Sequence, residues 1–288
     1  MNSILKKFKA VILLCRLDKP FLTIPFVIVI ACISANANLN FKMIRWILLA
    51  VVSGLMIGNS VNGLTDRKID KLNPRTAQRP LAADMLSVKE VIILITMLLF
   101  IMLFSVYMIS PFYILLLPIP GTLIVFYSFS KRFTWTCHMI LGVIEAAIPF
   151  STWGILNSWT DPRAVLSGAV VFFWIVGFEC IYSIQDIEYD KKTNMKSIPS
   201  EFGIKFSLQA AHICHVIMII LCCTLAYFCK TGLIFYIGIF IASVIILYEH
   251  IIVANDKKNA SRSFNISEFV CLILMAASVL DFIGRRYI

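Results

Sequence analysis

The stretch Asn62-Gly63-Leu64-Thr65-Asp66-Arg67-Lys68-Ile69-Asp70 ends a long apolar run in this chain of 288 residues. Carboxylates at the end of a membrane helix are costly unless they are solvated or paired with a cation. Asp66 and Asp70 lie four residues apart, so on a helix they share one face, about one turn apart. The spacing therefore predicts two carboxylates that act together, with Asn62 on the same face.

A second acidic stretch, Tyr182-Ser183-Ile184-Gln185-Asp186-Ile187-Glu188-Tyr189-Asp190, ends another apolar run. Its Tyr182, Asp186 and Asp190 have the same spacing as the Asn and the two Asp residues of the first stretch. Two matched clusters at span ends are much stronger evidence of function than one, because such charges are rare near the bilayer.

The composition predicts an all-α integral membrane protein. The chain is 60% hydrophobic, with a mean hydropathy of +0.88, whereas a soluble domain of this length is nearer half apolar. Many runs approach the ~20 residues that a bilayer core requires. We predict nine spans, at residues 21–37, 44–64, 91–109, 112–129, 138–157, 164–185, 207–228, 233–253 and 266–283, with a kink in the fourth at Pro118 and Pro120.

The repeated spacing of the two stretches also predicts how the chain is organised. Both triplets fall near the end of a span that runs in the same direction. This indicates one polytopic membrane domain over residues 1–288, built from two similar halves, roughly 1–137 and 138–288, arranged as parallel repeats around a shared cavity.

The distribution of Lys and Arg predicts the orientation in the membrane. With the N-terminus inside, 20 of the 26 basic residues fall in inside segments and 6 in outside segments. Basic residues mark cytoplasmic loops, so we expect a multi-pass protein of the inner (cytoplasmic) membrane with its N-terminus and both acidic stretches on the cytoplasmic side.

Several other functions are disfavoured. The net charge of +10 marks membrane orientation rather than nucleic-acid binding, since no basic stripe alternates with exposed aromatics. The nine cysteines form no paired CxxC set, which argues against disulfides and zinc. Ala35-Asn36-Ala37 looks like a signal-peptide cleavage site, but the polar lead Arg16 to Pro20 is unusually long for one, so we expect no cleavage.

The acidic stretches supply what magnesium requires. Mg²⁺ takes oxygen ligands and is usually held by one or two carboxylates together with substrate phosphate oxygens. A metal ion that bridges a diphosphate neutralises its charge as it leaves. We therefore predict that Mg²⁺ is bound by Asp66, Asp70, Asp186 and Asp190, with Asn62 assisting, and that the reaction is loss of diphosphate from an allylic carbon.

Basic and aromatic residues complete the predicted site. Arg binds phosphate oxygens with two parallel hydrogen bonds and Lys binds them as a point charge; the candidates are Arg75, Arg79, Lys131, Arg132 and Lys191. Aromatic faces stabilise a developing carbocation; the candidates are Tyr127, Trp153, Phe178 and Tyr182. Lys131 and Arg132 have an equal alternative as simple orientation anchors.

Some buried polar residues have no assigned partner at this point. Glu179 lies seven residues before Asp186 and is either a residue behind the metal ligands or a hydrogen-bonded group of the bundle. For His138, packing is favoured over metal binding. Asp281 is a buried charge without a partner that we can name, and Glu249 and His250 are predicted to form a local pair.

With these residues in place, the sequence resembles the UbiA family of intramembrane prenyltransferases over almost its whole length. The first family motif is matched by Asn62, Asp66 and Asp70, followed by the basic stretch 75–81 (Arg-Thr-Ala-Gln-Arg-Pro-Leu). Further matches are the second acidic triplet, the segment 127–132 (Tyr-Ser-Phe-Ser-Lys-Arg) and the segment 16–20 (Arg-Leu-Asp-Lys-Pro) before the first span.

The resemblance implies nine helices around a central cavity, with Mg²⁺ between the two motifs. It implies transfer of a polyprenyl group from polyprenyl diphosphate to a hydroxy-aromatic acid. Residues 177–190, with Ser197-Ile198-Pro199, are similar to 4-hydroxybenzoate-type enzymes. Several of these belong to the futalosine route to menaquinone, in which the acceptor is a dihydroxynaphthoate. In one departure, Gly63 stands where many members carry Asp, which removes one possible metal ligand.

The alternative function is an ion-coupled transporter that uses the same acidic clusters as a cation path. Carriers usually place such charges near the middle of the bilayer. Here the charges lie at one face, which favours the enzyme.

Overall fold

The computed structural model describes residues 3–18, 23–35 and 39–287, and all regular secondary structure in these ranges is helical. Short 3₁₀ segments cover Pro111–Leu116, Ser183–Asp186 and Lys257–Arg262. The α-helices are α1 (Ser3–Leu14), α2 (Ile24–Ser34), α3 (Phe41–Leu72), α4 (Val88–Ile109), α5 (Pro118–Ser130), α6 (Cys137–Leu156), α7 (Pro162–Tyr182), α8 (Ile187–Thr193), α9 (Ile198–Phe228), α10 (Leu233–Asn255) and α11 (Ser263–Tyr287).

The predicted spans correspond to helices. Among the described residues, eight helical stretches are long and apolar enough to cross a membrane. The first predicted span is an apolar helix of only 11 residues, α2. Two predictions near this span fall on residues that the structure does not describe. The entry to the span includes Lys19-Pro20, and the signal-peptide-like site includes Asn36-Ala37.

The fourth predicted span changes from one helix type to another just before its two prolines. The segment begins as the 3₁₀ helix Pro111–Leu116 and becomes α-helical at Pro118. Proline lacks the amide hydrogen that an α-helix needs at an interior position, and it is tolerated in the first turn. The two prolines Pro118 and Pro120 therefore mark where the α-helical part starts.

Two compact units divide the chain. The first unit comprises Met1–Pro20 and Arg45–Phe129, and the second comprises Phe21–Ile44 and Ser130–Ile288. The acidic stretch at Asn62 belongs to the first unit and the stretch at Tyr182 to the second. The predicted similarity of the halves 1–137 and 138–288 stays a prediction.

In the first unit, a small apolar cluster joins α1 to the loop after α3 and to the start of α4. Its buried members are Ala10, Leu14, Leu81, Leu86 and Val91. An ion pair between Lys7 and Glu90 lies beside it. Glu90 also closes a capping box with Ser87 at the start of α4, an arrangement that satisfies two backbone N–H groups of a helix end.

In the second unit, α7 packs against α6 and α9, and α10 packs against α11. A large apolar core holds this unit together, with Trp153, Trp174 and Phe235 among its fully buried side chains. Within α9 the backbone breaks at Gly203, whose φ of 82° and ψ of 168° are not helical. This positive φ is available to glycine without steric cost. The predicted span 207–228 corresponds to the part of α9 after this break.

Asp281 has partners that the sequence did not reveal. Its carboxylate accepts hydrogen bonds from the backbone N–H of Gly232 at 2.9 Å and of Phe235 at 3.3 Å, both at the start of α10. Arg285, one turn further along α11, lies 2.9 Å from the same carboxylate. Asp281 thus caps α10 from a neighbouring helix, which satisfies donors that the helix itself cannot.

The predicted local pair of Glu249 and His250 is wrong. His250 lies instead across the helix interface, with its Nε2 2.9 Å from Nδ1 of His215 on α9. Consecutive residues on a helix point about 100° apart and do not face each other. Glu249 is directed elsewhere and is fully buried.

Candidate functional site

The first acidic stretch is entirely helical, because α3 continues to Leu72. Asn62, Asp66 and Asp70 therefore lie on one face at successive turns, as predicted. Asn62 and Asp66 are half-buried, and Asp70 is only 6% exposed. This face of the last three turns of α3 presents one amide and two carboxylates.

Asp70 is held by Arg79, a residue predicted to bind phosphate. Nη1 of Arg79 donates to both carboxylate oxygens of Asp70 at 3.0 Å. A carboxylate has about four lone-pair positions, so this contact leaves room for further ligands. The Asp70–Arg79 pair places a cation beside the predicted metal ligand, where it can meet an incoming diphosphate.

The loop after α3 brings Arg79 back to the helix. Asn73 and Thr76 organise it: the Thr76 hydroxyl donates to the carbonyl of Asp70 at 3.2 Å, and the Asn73 side chain accepts from the N–H of Arg75 at 3.0 Å. The side chain of Arg75 is exposed. Of the two arginines predicted for phosphate binding in this loop, Arg79 lies against Asp70 of the acidic face.

Gly63 packs against apolar side chains. A Cβ atom at this position would lie 2.8 Å from Cδ1 of Leu14 and 3.4 Å from Cδ1 of Leu81. Both leucines belong to the apolar cluster of the first unit. Position 63 therefore faces the apolar packing of α1 onto α3, which explains why it carries no Asp.

We expect Gly63→Asp to destabilise the protein without improving metal binding. Its carboxylate would enter an apolar cluster, and an unpaired buried charge is costly. The thermal unfolding midpoint in detergent should fall clearly, whereas Gly63→Ala should change it little because the flexible end of Leu14 can move. An unchanged midpoint for Gly63→Asp together with tighter Mg²⁺ binding would show that position 63 faces the metal.

The second acidic stretch is not one continuous α-helix. Tyr182 is the last residue of α7, Ser183–Asp186 forms a 3₁₀ turn, and α8 then carries Asp190. The side chains compete for backbone carbonyls here: Ser183 Oγ donates to the carbonyl of Glu179 at 2.7 Å, and Gln185 Nε2 to that of Tyr182 at 2.8 Å. Such local bonds favour a break in the helix.

Asp190 is oriented by the loop that precedes α9. The hydroxyl of Ser197 donates to Oδ2 of Asp190 at 2.9 Å. The backbone of Lys131 is held beside this loop, because its carbonyl accepts from the N–H of Lys196 at 2.7 Å. The loop therefore contacts both Asp190 and the backbone of Lys131, a residue predicted to bind phosphate.

Aromatic rings lie at the start of this stretch. Tyr182 stacks on Phe178 with ring centroids 5.3 Å apart and an interplanar angle of 24°. Phe264, from the start of α11, contacts both rings edge-on at 6.0 and 6.1 Å. The arrangement fixes the Tyr182 ring four residues before Asp186.

The remaining predicted residues lie in α5, in the turn after α5, in α6 and in α8. Tyr127 is half-buried in the last turn of α5, and Lys131 and Arg132 follow in the turn after it, with Arg132 exposed. Lys191 is exposed in α8 next to Asp190. Trp153 lies in the apolar core, where its Nε1 donates to Asp161 at 3.1 Å, so it packs the core rather than facing a substrate.

The donor atoms fit magnesium. Each acidic stretch offers two carboxylates, the number that Mg²⁺ commonly takes from protein when phosphate oxygens complete its shell. Within each unit, no three His, Cys, Asp or Glu side chains of the described residues are grouped as a metal site. The residues thus suit a metal that is bound together with a diphosphate rather than a closed structural metal site.

Three residues that contact members of the second acidic stretch or the adjoining Glu179 were not predicted as site residues. His138 lies 3.3 Å from Glu179 and accepts a hydrogen bond from the N–H of Ile198, also at 3.3 Å. Ser197 donates a hydrogen bond to Asp190. Phe264 contacts the ring of Tyr182. The buried Glu179 was the available signal, because a buried carboxylate needs a partner, but its partner is 41 residues away in sequence.

The chain matches a known protein family over most of its length. The model of the UbiA prenyltransferase family matches residues 23–273. The chain belongs to the UbiA prenyltransferase family. This confirms the predictions of a UbiA-type membrane fold and of a prenyltransferase.

Related proteins match over nearly the full length. A relative from Francisella tularensis subsp. tularensis, named 4-hydroxybenzoate octaprenyltransferase, is 24% identical over 98% of this UbiA chain and 99% of its own. The apo structure of a UbiA homologue from Aeropyrum pernix K1 matches with a TM-score of 0.82 and 26% identity, over 92% of this chain and 98% of that one. A UbiA homologue from Archaeoglobus fulgidus, solved with GPP and Mg²⁺ bound, has a TM-score of 0.63 and 18% identity, over 96% and 100%.

Proposed function

We propose that this UbiA protein transfers a polyprenyl group from polyprenyl diphosphate to a hydroxy-aromatic acid, 4-hydroxybenzoate or a dihydroxynaphthoate, in quinone biosynthesis. The observation that carries the proposal is the set of four aspartates in two matched stretches, each with a basic residue beside it. Arg79 is paired with Asp70 in the first unit. In the second unit the carbonyl of Lys131 accepts from the N–H of Lys196, next to the Ser197 that donates to Asp190.

The reaction requires a metal, and the residues are suited to hold it. Bound Mg²⁺ would neutralise the charge that develops on the leaving diphosphate. We assign its binding to Asp66, Asp70, Asp186 and Asp190, and an assisting role to the amide of Asn62. The Archaeoglobus fulgidus homologue, solved with GPP and Mg²⁺ bound, supports a role for this metal.

Basic and aromatic residues of the chain bind the substrates and stabilise the reacting carbon. Arg75, Arg79, Lys131, Arg132 and Lys191 hold the diphosphate or the acceptor carboxylate. As the allylic carbon–oxygen bond breaks, the ring faces of Tyr182 and Tyr127 stabilise the positive charge on the allylic carbon. An acceptor ring carbon next to the hydroxyl then forms the new carbon–carbon bond, and the ring loses a proton.

The surroundings of the site protect the reactive carbon. Apolar helices exclude water, which would otherwise capture the allylic cation, and the polyprenyl tail extends into lipid. We place the N-terminus and both acidic stretches on the cytoplasmic side of the inner membrane, as the charge distribution indicates. Both substrates then meet the enzyme at that face.

The experiment is an in vitro assay with purified protein, one labelled polyprenyl diphosphate and both acceptors in parallel. We expect prenylated product from one acceptor in the presence of Mg²⁺. EDTA should remove the activity, and added Mg²⁺ should restore it, because the carboxylates alone add negative charge beside the diphosphate. Product formation that persists in excess EDTA would contradict the metal assignment.

The transporter alternative has its own outcome. Ion flux by the protein in proteoliposomes, without any prenyl transfer, would favour it. The location of the charges near helix ends rather than near the bilayer middle argues against this result.

A further inference from the structure

The short segment Lys196–Ile198 leads from the loop after α8 into the first residue of α9. Hydrogen bonds hold it on several sides. The N–H of Lys196 donates to the carbonyl of Lys131 at 2.7 Å. Ser197 donates its hydroxyl hydrogen to Asp190 and accepts from the N–H of Ser200 at 3.3 Å. We call this the linking segment, and it contacts two residues of the proposed site directly.

The third residue of the linking segment is held by a buried histidine. The N–H of Ile198 points to Nε2 of His138 at 3.3 Å. A backbone N–H can only donate, so Nε2 must carry a lone pair and the ring proton must be on Nδ1.

Glu179 is what selects this form of the ring. Its Oε2 lies 3.3 Å from Nδ1 of His138, where an ionised carboxylate accepts the ring hydrogen. His138 is 1% exposed and Glu179 9%, so water does not compete for these bonds. The pair connects the first turn of α6, the last turns of α7 and the start of α9.

Ile198 occupies a position where a helix has no internal partner for its N–H. The next residue, Pro199, has no N–H, and that of Ser200 is satisfied by Ser197. His138 thus supplies the acceptor that the first residue of α9 lacks. Without it, the start of α9 and the Ser197 hydroxyl would no longer be fixed relative to Asp190.

We propose that His138, oriented by Glu179, is a positioning residue for the metal-binding carboxylate of Asp190. It holds the linking segment where Ser197 orients that carboxylate and where Lys196 fixes the backbone of Lys131. This inference rests on the proposed function, because it assumes that Asp190 binds the metal. Groups behind metal ligands typically change metal affinity by about 10–100-fold.

Two substitutions separate the two hydrogen bonds of the ring. In His138→Gln, the amide oxygen can occupy the place of Nε2 and still accept from Ile198. In His138→Asn, the amide nitrogen can occupy the place of Nδ1 and bind Glu179, but nothing reaches Ile198. The bond to Ile198 is the one that positions the linking segment.

The measurement is the dissociation constant of Mn²⁺, followed by electron paramagnetic resonance, for the purified full chain saturated with a non-reactive prenyl thiodiphosphate. Hydrogen exchange of the peptide that contains Ile198 is measured on the same samples. We expect His138→Asn to weaken Mn²⁺ binding about tenfold and to speed exchange at Ile198. For His138→Gln, the dissociation constant of Mn²⁺ should stay close to that of the wild type, because the amide oxygen can still accept from the N–H of Ile198.

His215→Asn is the matched control. His215 is also buried in the second unit, 2% exposed, but it bonds to His250 instead of the linking segment. It should lower the unfolding temperature without changing Mn²⁺ affinity. Ser197→Ala removes the donor to Asp190 and leaves the His138–Glu179 pair intact, so it should also weaken Mn²⁺ binding if His138→Asn does not fold.

The outcomes distinguish the inference from the function on which it rests. If the wild type binds Mn²⁺ and His138→Asn and Ser197→Ala bind it equally well, the positioning role is refuted while the function stands. If the wild type binds no Mn²⁺ and makes no product, the proposed function fails and the inference fails with it.

Discussion

Asp66→Ala and Asp186→Ala are each expected to reduce prenyl transfer by more than about a hundredfold. Each substitution removes one carboxylate from a different acidic stretch, and metal stabilisation of a leaving diphosphate supplies several kcal/mol, of which about 3 kcal/mol corresponds to a hundredfold in rate. The measurement is product formation by purified variants that are present in the membrane at the wild-type level.

Glu188→Ala is the matched control for these two variants. Glu188 lies two residues from Asp186 and is exposed in α8, so its loss changes the net charge equally without removing a proposed ligand. Its activity should stay within about twofold of the wild type, as for substitutions away from special features. Full activity of Asp66→Ala or Asp186→Ala would show that the metal assignment is wrong.

Asp281→Ala is expected to lower the free energy of unfolding by about 3–5 kcal/mol, the usual cost of removing one partner of a buried ion pair. The carboxylate, 2% exposed, accepts from two N–H groups of α10 and pairs with Arg285. Arg285 in turn donates to the carbonyl of Cys32 at 3.1 Å, near the end of α2. Thermal unfolding in detergent should show a marked fall in the midpoint.

Two further variants test the reason for this loss. Gly232→Ala should destabilise in the same direction, because its Cβ would lie 2.6 Å from Oδ1 of Asp281. Arg286→Ala, at an exposed position beside Arg285, should change stability by no more than about 0.5 kcal/mol. An equal loss in Arg286→Ala and Asp281→Ala would indicate a general charge effect instead of the cap.

The helical fold could be predicted because its determinants are local. Apolar runs of nearly bilayer length identify the spans, and proline explains the break before α5. The first acidic stretch was predicted to share one helix face, and α3 confirms it through Leu72. The second stretch has the same spacing but is not one continuous α-helix, because Ser183 and Gln185 bond to nearby carbonyls in the 3₁₀ turn Ser183–Asp186. Spacing alone does not show this competition.

The contacts that organise the site were out of reach because they join distant parts of the chain. His138 and Glu179 are far apart in sequence, as are Asp281 and Gly232. Arg79 was predicted to bind phosphate, and its bond to Asp70 depends on how the loop after α3 folds back. A single sequence gives residue types and spacing but no information on such pairings.

The most direct test of the central claim is a crystal structure of the full chain with Mn²⁺ and a non-reactive prenyl thiodiphosphate, with the metal located by anomalous scattering. We predict metal bonded to the diphosphate and to carboxylates from both acidic stretches, with oxygens about 2.0–2.2 Å away. Metal bound to neither stretch, or a diphosphate held far from Asp66 and Asp186, would contradict the account.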